Sequence, residues 1–136
     1  FECEGEAGFR ARECATLAEI LGGERQLVAT GGGAVLDAGN RDLMRARGFV
    51  VHMHADVDTQ LARLARDRTR PLLARGDRRA VLERLANERA ALYAAAAHVR
   101  FETGLHACGE AAVQLGRLVQ AHWQPSPAAA PAAAVE

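Results

Sequence analysis

Gln26-Leu27-Val28-Ala29-Thr30-Gly31-Gly32-Gly33 decides the fold, because a short apolar run ending in three glycines reads as a buried strand feeding a glycine turn. Glycine offers bare N–H groups with no Cβ in the way, so a backbone of this kind can come close to a ligand. The run does not match the G-x-G-x-x-G dinucleotide fingerprint, since Leu36 stands where the last glycine would fall. By itself the motif is as well explained by a tight strand-to-helix turn.

Working outward, Ala7 to Leu21 sets Cys14, Leu17, Ala18 and Leu21 on one helical stripe, stopped by Gly22 and Gly23. Downstream, Asn40 is expected to cap a short helix over Arg41 to Arg47 that Gly48 closes. Phe49 to Met53 reads as a second strand, and Asp58 as the cap of a helix whose Leu61, Leu64 and Ala65 share a face. Asp77 should cap a long helix reaching about Ala97, with Val81, Leu82, Leu85, Ala86, Arg89 and Leu92 at helical spacing. His98 to Glu102 alternates as a third strand, and Ala107 to Ala121 makes a last helix. Strands and helices alternating through short loops predict an α/β fold with a parallel β-sheet flanked by helices. One domain is expected over 1–122, followed by a disordered Pro/Ala tail over 123–136.

Composition narrows the possible functions. The 136 residues are 49% hydrophobic and 25% charged, a globular mixture. Seventeen basic residues balance seventeen acidic ones, so no overall basic field recruits nucleic acid or an anionic membrane. All the basic residues are Arg, which leaves no Lys for a Walker A phosphate loop. No apolar stretch approaches the roughly 18 residues of a membrane span. Cys3, Cys14 and Cys108 lack CxxC spacing and are odd in number, which fits a reducing cytoplasm and small buried side chains. The chain opens on Phe1 and on a helix, so a preceding strand or two is expected to be missing by truncation.

The stretch Arg63 to Arg70 gathers Arg63, Arg66, Arg68 and Arg70, guanidinium forks able to grip phosphate, ahead of the stiff apolar Pro71-Leu72-Leu73. A lid over about 66–78 that closes on phosphates is the expectation; a solvated charged face is the plainer alternative. Arg10 lies three residues from Glu13 on one helix face, so the carboxylate can orient the guanidinium. Arg89 falls on the apolar stripe of its helix and needs an anionic partner there, from a ligand or from a structural ion pair. His52 and His54 share a strand face without an evident third metal ligand, and read as core or strand-end histidines.

Four blocks stand in order: Gly8-Phe9-Arg10-x-x-Glu13, Ala29-Thr30-Gly31-Gly32-Gly33-Ala34-Val35, Arg68-Thr69-Arg70-Pro71-Leu72-Leu73 and Glu88-Arg89-Ala90-Ala91-Leu92-Tyr93. In order and spacing they resemble the shikimate kinases, from Phe1 to about Val119. The resemblance implies a P-loop nucleoside monophosphate kinase-like fold and transfer of the γ-phosphoryl of ATP, with Mg²⁺, to the 3-hydroxyl of shikimate. It implies that Arg10 and Arg89 grip the shikimate carboxylate while Glu13 orients Arg10, and that Gly31, Gly32 and Gly33 meet substrate hydroxyls. It further implies that Arg70 reaches the transferring phosphate, that Arg63 stacks on adenine, and that Pro71 and Leu72 belong to the lid hinge. A monomeric cytoplasmic enzyme acting on shikimate and ATP follows from the same likeness. The family's phosphate loop, Mg²⁺-holding hydroxyl and acidic pocket residue would all precede Phe1, so this chain alone is expected to be inactive, with no metal ligand of its own. His106, near where the family often has an adenine-contacting basic residue, is left without a role. Two other readings stand beside this one. A related sugar-acid kinase such as a gluconate kinase is disfavoured by the triple glycine and the Arg10/Arg89 pair. A non-catalytic ligand-binding domain of a regulator would need a DNA-binding segment upstream.

Overall fold

The computed structural model describes residues 5–65 and 77–123. Most of the lid expected at 66–78, including Arg66, Arg68, Arg70, Pro71, Leu72 and Leu73, lies outside them, as do Cys3 and the tail from 124. Two compact units make up the chain, Phe1–Gly104 and Leu105–Glu136.

The first unit opens with α1 (Gly5–Ile20), which ends at the two glycines: the N–H groups of Gly22 and Gly23 donate to the carbonyls of Glu19 and Ile20. Its stripe buries Leu17 and half-buries Cys14 and Leu21, while Ala18 is exposed. The expected strand over Gln26 to Thr30 is not formed among the described residues, and Leu27 is 101% exposed. A strand needs a neighbour to take its N–H and C=O groups, and an apolar run signals burial without naming that neighbour. Val28 still packs against the core.

The glycines lead into a 3₁₀ turn (Ala34–Leu36) and α2 (Ala38–Arg47). Asp37, not Asn40, is the cap: its carboxylate accepts from the Asn40 N–H at 2.8 Å. Asn40 lies inside the helix, 3% exposed, and its Nδ2 donates to the Ala34 carbonyl at 3.1 Å. A buried amide must find partners, and here one partner is the turn itself. Gly48 ends α2, its N–H donating to the Met44 carbonyl.

β1 (Val51–His54) and β2 (Val99–Glu102) pair in parallel, Val51 opposite Val99 and His54 opposite Glu102. Parallel neighbours need a long crossover, and α3 (Val57–Leu64) and α4 (Arg78–Ala96) supply it. Asp56, not Asp58, caps α3, accepting from the Thr59 N–H at 2.7 Å; Asp58 instead pairs with Arg79 at 2.6 Å. Both corrected caps obey one rule, an acceptor three residues before the N–H it satisfies. Asp77 caps α4 as expected, accepting from Arg79 and Ala80. Along α4, Leu82 is buried, Val81, Leu85, Arg89 and Leu92 are half-buried, and Ala86 is exposed.

Leu17, Val35, Met44 and Ala96 form the core, with Leu92 and Tyr93 packed on it, so α1, the turn, α2 and α4 meet there. Arg45 closes the far end of α4, its Nη1 donating to the Ala97 carbonyl at 2.7 Å, where a cation also suits the helix dipole. The second unit carries α5 (Cys108–His122). Cys108 opens that helix exposed, contrary to the expected burial, as none of the α5 residues is buried.

Candidate active site

Arg10 leaves α1 half-buried and donates from Nη1 to Glu13 Oε2 at 2.6 Å. Glu6 stands 3.8 Å from Nη2, and the guanidinium lies 5.2 Å from the Phe9 ring centroid, a cation–π contact. With Nη1 held by Glu13, the Nε–Nη2 edge is left, and that edge is the fork that takes a carboxylate side-on. Arg10 Nε is buried and has no hydrogen-bond partner.

Arg89 comes from α4, and its Nε is buried and unpartnered in the same way. The glycine turn lies close to both arginines. A Cβ on Gly33 would lie 2.5 Å from both Arg10 Nη atoms, and one on Gly32 would lie 2.8 Å from the Tyr93 hydroxyl and 3.7 Å from Arg89 Nη1. One on Gly31 would be 3.7 Å from Glu13 Oε1. Gly33 has φ −84°, open to any residue, so clearance rather than backbone conformation demands glycine here. Arg10, Glu13, Gly31, Gly32, Gly33 and Arg89 are thus brought together around the turn. Two guanidinium groups bring positive charge and unused donors to the turn, the chemistry that a small anion requires.

Tyr93 belongs to this group although the motif that contains it assigns it no role. Its hydroxyl donates to the Gly32 carbonyl at 2.9 Å. The readable signal was spacing, since Arg89 and Tyr93 are four apart on α4 and share a face.

Arg63 lies elsewhere, on α3, where Nη1 donates to Thr103 Oγ1 at 3.0 Å and Nη2 to the Thr103 carbonyl at 2.9 Å. Thr103 Oγ1 in turn donates to the His54 carbonyl, which ties Arg63 to the ends of both strands. Arg70 and Pro71 lie outside the described residues. His52 and His54 have found protein partners: His52 stacks on Tyr93 with centroids 4.6 Å apart, and His54 Nδ1 lies 2.6 Å from Glu102 Oε2. Burial, then the neighbouring His54 and Arg100, lower the His52 pKa, while the hydrogen bond to His54 draws the Glu102 carboxyl down. His106 Nδ1 sits 3.5 Å from Glu110, in the second unit.

Helices around a parallel sheet place the chain, through two solved structures, in the P-loop nucleoside monophosphate kinase-like fold class. A shikimate kinase from Acinetobacter baumannii, solved in complex with shikimate, superposes with TM-score 0.81 at 39% identity, over 89% of this chain and 68% of that one. The shikimate kinase from Bacteroides thetaiotaomicron superposes with TM-score 0.76 at 27% identity, over 86% of this chain and 69% of that one. The shikimate kinase of Xanthomonas oryzae pv. oryzae strain PXO99A is 48% identical over 130 residues, 96% of this chain and 72% of that protein. That of Stenotrophomonas maltophilia strain K279a is 49% identical over 124 residues, 91% of this chain and 69% of that protein. The family profile for shikimate kinases matches residues 1–119, and the chain belongs to that family of phosphotransferases.

Proposed function

We propose that Arg10 and Arg89 hold the carboxylate of shikimate, with Glu13 fixing Arg10 and the Gly31–Gly33 turn meeting the substrate hydroxyls. The reaction served is phosphorylation of the shikimate 3-hydroxyl by ATP, giving 3-phosphoshikimate and ADP on the route to chorismate and the aromatic amino acids. The observation that carries this reading is the pair of buried, unpartnered Nε–H groups on Arg10 and Arg89. A buried donor without an acceptor is costly, and a carboxylate arriving between the two forks satisfies both. Holding one end of a small rigid acid also sets the direction of its hydroxyls, which is most of what phosphoryl transfer asks of a protein.

ATP supplies the phosphoryl group, and Mg²⁺ neutralises its charge. On this chain the nucleotide reading rests on Arg63, Arg70 and Pro71. Two hydrogen bonds to Thr103 fix the planar guanidinium of Arg63, and a face of that plane would take a purine. Arg70 would neutralise charge on the transferring group, with Pro71 and Leu72 at the hinge of its loop. Among the described residues no three His, Cys, Asp or Glu side chains gather as a metal site. No helix among the described residues is long and apolar enough to cross a membrane. The reading extends to a cytoplasmic monomer; the free thiols of Cys14 and Cys108 fit a reducing compartment, and sedimentation tests the monomer.

Calorimetric titration of shikimate into the chain tests the carboxylate clamp. Replacing Arg89 by Ala removes a charged hydrogen-bond donor and should weaken binding roughly 10- to 100-fold. The methyl ester of shikimate should bind weakly as well. Equal affinity for acid and ester would sink the reading.

A further inference from the structure

Holding a substrate carboxylate at one end is useful only if the backbone at the other end keeps a fixed place, and a stretch of three glycines has the least intrinsic stiffness of any sequence. Something outside the turn must hold it. Behind the turn, Asn40 Nδ2 ties down the Ala34 carbonyl and Arg41 Nη1 the Val35 carbonyl at 2.6 Å. Within it, the Ala34 N–H closes onto the Gly31 carbonyl at 3.1 Å and the Leu36 N–H onto the Gly33 carbonyl at 3.0 Å. Gly32 itself, the middle glycine, is held from across the molecule by the Tyr93 hydroxyl at 2.9 Å.

We infer that Tyr93 is a positioning residue for the substrate site, fixing the Gly32 carbonyl so that the turn keeps its place against Arg10 and Arg89. Three features support this. Tyr93 sits one helical turn beyond Arg89 on α4, so a single rigid element carries both the substrate clamp and the strut for the turn. The α4 segment that bears it is anchored, since the Ala97 N–H donates to the Tyr93 carbonyl and Arg45 gathers the last carbonyls of the helix. The ring is also wedged, packed on the core on one side and stacked on His52 at 4.6 Å and 21°. A phenol so confined loses little further freedom when it makes its one hydrogen bond, which favours a fixed geometry. Gly32 is matched to it, because a Cβ there would come within 2.8 Å of the hydroxyl.

The inference rests on the shikimate reading above for the identity of the substrate, but not for the hold on the turn. Tyr93→Phe is the test, because it keeps the ring and its stack on His52 and deletes only the hydroxyl. Hydrogen exchange followed by mass spectrometry should show residues 29–36 exchanging several-fold faster than in the parent chain, with α1 and α2 unchanged. Shikimate affinity should fall about threefold to tenfold, the scale of one neutral hydrogen bond. Tyr93→Leu, which loses the stack as well, should exceed both effects, and His52→Phe, which keeps a stacking ring, should leave both near the parent values. Unchanged exchange over 29–36 in Tyr93→Phe overturns the inference whether or not shikimate binds. Faster exchange there in a chain whose parent form fails to bind shikimate upholds the strut and overturns the substrate reading alone.

Discussion

Two halves of one stretch behave in opposite ways. Over Gln26 to Thr30 the chain is apolar and β-prone, yet no ladder holds it among the described residues and Leu27 stands fully exposed. Over Gly31 to Leu36 it is glycine-rich and intrinsically floppy, yet Ala34 is 1% and Val35 7% exposed and the backbone is tied by Asn40, Arg41 and Tyr93. Local preference would rank them the other way round. Order in a folded chain follows the partners a segment finds, and the second half finds three side chains where the first finds Val28's contact with the core.

The contrast can be broken from the ordered side first. Gly33→Val should have the largest effect on ligand binding: its Cβ would meet the Arg10 guanidinium at 2.5 Å, the movable end of a long side chain. Arg10 can swing away with little change in stability, but it then leaves Glu13, and shikimate affinity measured by calorimetry should drop roughly 10- to 100-fold, as for a lost charged hydrogen bond. Asn40→Leu should come next. It strips the Ala34 carbonyl of its buried donor, and urea unfolding should show a loss of about 1–3 kcal/mol.

A smaller effect, read against pH, lies at the start of the sheet. His98 Nδ1 accepts from the Val50 N–H at 3.0 Å, which requires a neutral ring. Burial, then the charge of Arg45, holds its pKa below the ordinary imidazole value. Folding therefore disfavours the proton: the full stability is present above about pH 6.5 and is lost as pH falls from there toward the lowered folded value. Thermal melts from pH 8 to 5 should trace that decline, and His98→Phe should flatten it while lowering the plateau. Leu27→Ser should do least. A side chain with no burial to lose should change stability by less than about 0.5 kcal/mol in the same urea assay, and a loss above about 1 kcal/mol would mean that Leu27 is covered in solution.

Helix positions were largely legible because periodicity and caps are local. Asp77, Gly22, Gly23 and Gly48 all act as read. Asn40 and Asp58 were misleading, since each is a good cap by type while Asp37 and Asp56 hold the three-residue spacing that the bond requires. The members of the candidate site were legible as a set of names: the glycine turn, Arg10 with Glu13, and Arg89 lie beside one another. Spacing could place Tyr93 on the face of Arg89 but not reveal its bond, because the partner is a carbonyl 61 residues away and a backbone acceptor leaves no mark in residue type.

Residue order alone determined the helices, their caps once spacing is respected, the parallel α/β character and the family to which the chain belongs. Each of these depends on periodicity, on short-range hydrogen bonds or on motifs that survive as letters. Tertiary structure decided which apolar run becomes a strand, why a Cβ at Gly32 or Gly33 would displace Tyr93 or Arg10, and what steadies the turn they form. Those answers depend on which distant atoms arrive at 2.5–3 Å, and a linear pattern holds no information about a distance that only packing creates.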